Sequence, residues 1–128
     1  RFRLADPLAD LSAAVTPADV ILAQDERRRV LVEDTVRNYV VQVARATRKH
    51  AEIELGASPR ATLALYQSAQ AWAAIYGRDF VLPDDIKFMA PHVLTHRMML
   101  SPQAQLRGRK PEDLIAAVVE TVPVPVEG

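Results

Sequence analysis

The sequence predicts an all-α fold, a small bundle of about five helices. Three observations carry that prediction. Helix-start signals recur along the chain, with capping residues, prolines or acids grouped at Thr16-Pro17-Ala18-Asp19, Ser58-Pro59 and Pro83-Asp84-Asp85. Between these signals, apolar residues return every three or four positions, the repeat of a helix with one buried face. The chain of 128 residues also suits a single domain, long enough to bury roughly two thirds of its unfolded surface without staples.

Residues 1–15 read as an irregular lead-in or interdomain linker. A first helix is expected over 17–29, because Thr16 can cap it, Pro17 suits a position needing no amide donor and Asp19 meets the helix dipole. Val30-Leu31-Val32 breaks the helical pattern. A second helix starts at Glu33 and Asp34 and runs to about His50, with Val36, Val40, Val43 and Ala44 on one face. The third follows Ser58 and ends at Gly77, carrying the stripe Leu65, Ala69, Trp72, Ala73 and Tyr76. Pro83 opens a fourth, with Ile86, Met89, Ala90, Val93 and Leu94 inward and Pro91 as a possible kink or break. The last begins near Pro111 and buries Leu114, Ile115, Val118, Val119 and Val122, and the proline-rich run Val122-Pro123-Val124-Pro125 ends it. Short extended pieces at 30–32 and 97–100 could pair as two strands. The domain thus covers 16–123, with 124–128 as a tail, and no internal repeat or low-complexity tract is present.

Sixteen basic residues balance sixteen acidic ones, which argues against a protein devoted to wrapping nucleic acid or coating an anionic membrane. With no cysteine there is no disulfide framework, as expected for a cytoplasmic protein. No apolar run approaches the roughly 20 residues of a membrane span, and no signal peptide is expected. Because the chain begins at Arg1, it is expected to be a piece of something larger.

Any anion site must therefore be local, and one stretch offers it. In Gly56-Ala57-Ser58-Pro59-Arg60-Ala61-Thr62, Gly56 admits a backbone conformation closed to other residues, Ser58 serves as N-cap and Pro59 as first helical residue. Arg60 then puts a planar, permanently charged fork beside free helix amides, where phosphate binds readily. The plainer reading is that Ser58 and Pro59 only start the helix and Arg60 is solvated.

Other constellations have structural explanations. His92 and His96 have the spacing of helical zinc ligands, but Val93 stands where a catalytic glutamate would and no third ligand is near in sequence, so no metal is expected. Arg27-Arg28-Arg29 reads as a solvated face at a helix C-terminus. Arg45 and Arg48 lie one turn apart, able to face one anion or an acidic neighbour such as Glu52, with a surface ion pair as the default. Asp84 and Asp85 are explained by the dipole of the helix they open. No Gly-rich phosphate loop or nucleophile elbow occurs, so the chain has no visible catalytic centre of its own.

Three runs resemble a known family. Tyr39-Val40-Val41-Gln42-Val43-Ala44-Arg45-Ala46-Thr47-Arg48, Glu54-Leu55-Gly56-Ala57-Ser58-Pro59-Arg60-Ala61, and Gly77-Arg78-Asp79-Phe80-Val81-Leu82-Pro83-Asp84-Asp85-Ile86-Lys87 together resemble the C-terminal end of MoxR-family AAA+ ATPases. Pro91-His92-Val93-Leu94-Thr95-His96-Arg97 continues the likeness, which covers about residues 15 to 123.

The resemblance implies a helical lid of the AAA+ type that closes over ATP held, with Mg, by an upstream α/β domain. Arg60 would be the sensor 2 arginine reaching the γ-phosphate, with Ser58 and Pro59 beside it. Tyr39 and Val40 would contribute to the adenine site by position. The Walker A loop, Walker B carboxylates and arginine finger of such ATPases lie upstream and are absent from residues 1–128, so the chain alone is expected neither to hydrolyse ATP nor to hold it stably. The family also implies a homo-oligomeric, usually hexameric ring and a chaperone-like role on an unknown client protein. A different class remains open, a stand-alone helical module binding a protein or nucleic acid through Arg60 and Arg27 to Arg29.

Overall fold

A computed structural model describes residues 5–126. The ends of the expected lead-in (1–4) and tail (127–128) lie outside the described residues. The all-α expectation holds. The helices are α1 (Pro17–Arg28), α2 (Asp34–Lys49), α3 (Pro59–Ile75), α4 (Pro83–Leu94), α5 (Pro102–Leu106) and α6 (Pro111–Thr121), with β1 (Ile53–Leu55) and β2 (Met99–Leu100) as a small antiparallel pair. Single 3-10 turns stand at Pro7–Asp10, in the lead-in, and at Thr95–Arg97.

Local chemistry accounts for the boundaries. Thr16 accepts from the Asp19 amide at 3.2 Å while the Asp19 carboxylate accepts from the Thr16 amide at 2.8 Å, satisfying two donors of α1. Those bonds hold the Asp19 carboxyl below its ordinary pKa. At the far end of α3, Gly77 takes a φ of +72°, and the Arg78 amide reaches back to the Ala73 carbonyl at 2.9 Å, closing the helix as the sequence predicts. Pro91 does not split α4, which continues to Leu94.

The core lies among α2, α3, α4 and α6. Val43, Leu65, Ile86, Leu94 and Ile115 are fully buried in it, each stabilising the fold by about 1.5–3 kcal/mol. The predicted inward faces of α2 and α6 are buried throughout. Of the inward face predicted for α4, Met89 alone is half-buried, packed against the core rather than within it. The α3 stripe needs correction: Leu65, Ala69 and Ala73 are buried, but Trp72 is half-buried and Tyr76 is 63% exposed. The core beside the last turns of α3 is closed by small side chains, so the two rings ride over the edge of α4.

The strand pairing also differs from expectation. β2 pairs with β1, with Ile53 opposite Leu100, while Leu31 of the 30–32 segment forms a parallel bridge with Phe80. Ile53 and Leu100 cover a second apolar cluster with Ala104, Leu114 and Val118. Segments of two or three residues show no readable period, so only the packing of these side chains selects the partner. α1 contains no buried residue. It is fastened by Arg27, which donates to Gln70 at 2.9 Å, while Gln70 donates to the Val30 carbonyl at 2.9 Å.

Candidate functional site

The start of α3 is held by the last turns of α2. The Ala57 amide donates to Thr47 Oγ1 at 2.9 Å, and the Ala57 carbonyl accepts from Arg48 Nε at 2.7 Å. A single residue is thus gripped on both sides, through its own amide and its own carbonyl. Gly56 lets the chain come this close: a Cβ there would stand 2.7 Å from both Arg48 Cα and Arg48 N. Its φ is not in the left-handed region, so the glycine serves close approach rather than the special backbone conformation read from sequence. Arg48 is thereby spent on the loop, and Glu52 pairs instead with Arg109 at 2.9 Å.

From this clamp the helix starts as expected. Ser58 Oγ accepts from the Ala61 amide at 3.1 Å, and Pro59 is the first helical residue. Arg60 follows in the first turn, exposed, with no ion pair or hydrogen bond among the described residues. The positive end of the dipole and an unspent guanidinium therefore coincide at one place, a surface suited to a phosphate.

Beside it, Pro59, Leu63 and Tyr66 of α3 face Arg37, Val40 and Val41 of α2 across an almost entirely apolar pocket of about 320 Å³. A flat apolar wall next to a cationic helix start can hold a purine and its phosphates together. Of the two residues proposed for the base, Val40 lines this pocket although it is 2% exposed. Tyr39 does not line it. Its side chain is 2% exposed in the core, and the hydroxyl has no hydrogen-bond partner among the described residues. Burial, reinforced by the charges of Glu120 and Asp84, pushes its pKa above the ordinary value. A cleft of about 400 Å³ near the start of α2, lined by Glu33, Phe80, Leu82 and Pro125, has no cationic side chain in its wall.

The pocket wall contains residues the sequence reading missed. Arg37 and Val41 are one turn apart on α2, and Leu63, 53% exposed, stands one turn after Pro59 on α3. An apolar pair off the core stripe was the available signal. His92 packs on Phe88 with ring centroids 5.1 Å apart, and His96 is exposed in the 3-10 turn after α4. Arg28 and Arg29 pair with Asp25 and Glu26 of their own helix.

The sequence matches the family model of the AAA lid domain over residues 45–118. It is 39% identical over 121 residues to the uncharacterized protein YeaC of Bacillus subtilis, covering 94% of this chain and 38% of that protein. To Chaperone MoxR1 of Mycobacterium tuberculosis it is 33% identical over 120 residues, covering 87% of this chain and 32% of that one. A candidate ATPase from Cytophaga hutchinsonii, solved by crystallography, superposes with a TM-score of 0.79 at 29% identity, over 85% of this chain and 36% of its own. The chain belongs to the AAA lid domain family. Within it, this is a lid of the MoxR family of AAA+ ATPases. The chain spans 38% and 32% of the length of the two curated relatives named here.

Proposed function

We propose that this lid closes over ATP held by an upstream α/β domain, and that Arg60 reaches the γ-phosphate on closure as a sensor 2 residue. The observation that carries the proposal is an exposed, unpaired Arg60 in the first turn of α3, next to an apolar pocket. ATP with Mg supplies the phosphoryl group and its counter-ion. The chain's own share is to position a cation and to cover the base: Ser58 and Pro59 set the helix start, while Val40, Val41 and Tyr66 present apolar surface to the adenine. Charge spread over a transferring phosphoryl group is stabilised by such a placed cation. Because the guanidinium lies on the lid, that stabilisation depends on closure.

The larger role follows as part of the same proposal. The intact protein would work as a cytoplasmic homo-oligomer, hexameric by its family, and couple hydrolysis to chaperone-like maturation of a client protein. Without the upstream domain, the lid would neither turn over ATP nor retain it.

A charge-assisted contact of this kind contributes about 1.5–3 kcal/mol. Arg60→Ala in the intact ATPase is therefore expected to lower ATP affinity or turnover roughly ten- to a hundredfold. Because Arg60 is exposed and unpaired, the melting temperature should not move. ATP binding and turnover both equal to those of the unmodified protein would sink the sensor assignment.

A further inference from the structure

The aromatic rings that leave the core assemble a second surface. Trp72 stacks on Phe88 with centroids 4.5 Å apart and planes 19° from parallel, and Tyr76 meets Trp72 edge-on at 4.9 Å. Tyr76 and Phe88 remain 63% and 48% exposed, and Ile75, on the same side of α3, is 75% exposed. Trp72, Tyr76 and Phe88 form one wall of a shallow groove between α3 and α4, completed by Asp84, Asp85 and Arg78. Trp72 lies twelve residues beyond Arg60, roughly 18 Å along the helix axis, so this groove is separate from the helix start discussed above.

Its charges are not equivalent. Arg78 and Asp85 satisfy each other through two bonds of 2.7 Å, and Asp85 also accepts from the Leu82 amide at 2.7 Å. Lys87, the nearest lysine on α4, is engaged with Glu120 of α6 at 3.7 Å. Asp84 alone has no ion-pair partner among the described residues, and it stands one turn before Phe88 on α4. His92 lies one turn beyond Phe88, against the same ring. The groove therefore offers a carboxylate with no ion-pair partner beside exposed aromatic rings.

We propose that the groove formed by Trp72, Tyr76, Phe88 and Asp84 docks an arginine-bearing segment of a partner protein. A guanidinium matches both features: its plane stacks on an aromatic face, and its N–H edge donates to a carboxylate. The ammonium of lysine lacks the flat face. Ile75, next to Tyr76 in the chain and 75% exposed, adds apolar surface outside the groove lining, so the segment that fits has an apolar residue beside its arginine. This docking does not depend on the nucleotide role of Arg60.

Trp72 is the single tryptophan of the chain, so its emission reports the groove directly. The probe is a blocked Gly-Leu-Arg-Leu-Gly peptide, titrated against the chain. Saturable change in Trp72 emission is expected, with affinity at least about fivefold weaker for the same peptide carrying citrulline in place of arginine and for Asp84→Asn, given an exposed charge pair added to a cation–π contact. Asp84 is exposed and meets only the dipole of its helix, so that variant should stay folded and melt within a few degrees of the parent. Equal affinity for the citrulline peptide, equal affinity of Asp84→Asn, or no saturation by about 10 mM peptide would each overturn the proposal. So would an emission change driven by protein concentration alone, which would give the groove to a second copy.

Discussion

Arg60 stands free at the start of α3, whereas Arg78, just past the end of the same helix, is committed to Asp85 by two 2.7 Å bonds. Both are arginines next to helix termini, and only their partners distinguish them. Asp85 holds the guanidinium of Arg78 in its charged form, pushing its pKa further up. Tyr39 shows the opposite situation, a polar group buried without a partner among the described residues. Removing such a hydroxyl costs no bond, so Tyr39→Phe is expected to leave stability at neutral pH unchanged or raise it by up to about 1 kcal/mol. Its folded-state pKa lies above the ordinary 10.0, first because of burial. The corresponding stability is therefore complete below the unfolded value and is lost as pH rises through the folded one. Urea midpoints measured at neutral and strongly alkaline pH should fall for the parent and fall less for Tyr39→Phe. An equal fall in both would place the alkaline transition elsewhere.

The elements are joined by a few bonds that reach across the chain. Between α2 and α3 the join is Ala57, gripped at its amide by Thr47 and at its carbonyl by Arg48 and approached through Gly56. A methyl group at that glycine meets backbone, which cannot swing aside. Gly56→Ala is expected to cost about 1–3 kcal/mol by overpacking, read as a lowered melting temperature, and to shift the amide resonances of Ala57 and Ser58. Between α3 and α4 the join is Arg78 with Asp85, whose side chain is 5% exposed against 25% for the arginine. Arg78→Met leaves that carboxylate buried and short of its donors, and should cost about 2–3 kcal/mol, below a fully buried pair because the arginine is partly solvated. Stability equal to the parent would mean that the Leu82 amide suffices to hold Asp85.

Across the molecule, burial is uneven. α2, α3, α4 and α6 share the core, whereas none of the residues in the Pro7–Asp10 turn or α1 is buried. Leu11 and Ile21 are 74% and 59% exposed, so replacing both with serine should leave the melting temperature within about 2 °C of the parent, as for surface changes generally. Ile115→Ser, at 0% exposure, is the contrasting case and should unfold the bundle or lower its melting point sharply. A large loss from the Leu11 and Ile21 pair would instead show the leading helix to be part of the cooperative unit.

Much of this architecture was legible in the residues. The helical faces of α2, α4 and α6 follow from apolar spacing, and Thr16, Ser58 and Gly77 mark helix ends through bonds to backbone a few positions away. Helix α5 was missed although Ser101-Pro102 repeats the Ser58-Pro59 signal, because five residues are too few to show a period. Trp72 and Tyr76 had the right spacing for the core and were displaced by the fit between α3 and α4.

Local interactions, acting within about a turn, are written directly into the order of residues, and so the sequence by itself determined the helices, their caps and the placing of Arg60 in a first turn. Which arginines remain free is a different kind of question. Arg27 ends on Gln70, Arg48 on Ala57, Arg78 on Asp85 and Arg109 on Glu52, pairings that exist only once helices and strands have packed. The same packing left Arg60 unpaired beside an apolar pocket and Asp84 unpaired beside three aromatic rings. Tertiary structure decided those outcomes because a charged group is engaged by whatever lies within a few ångströms in space, however far it lies along the chain.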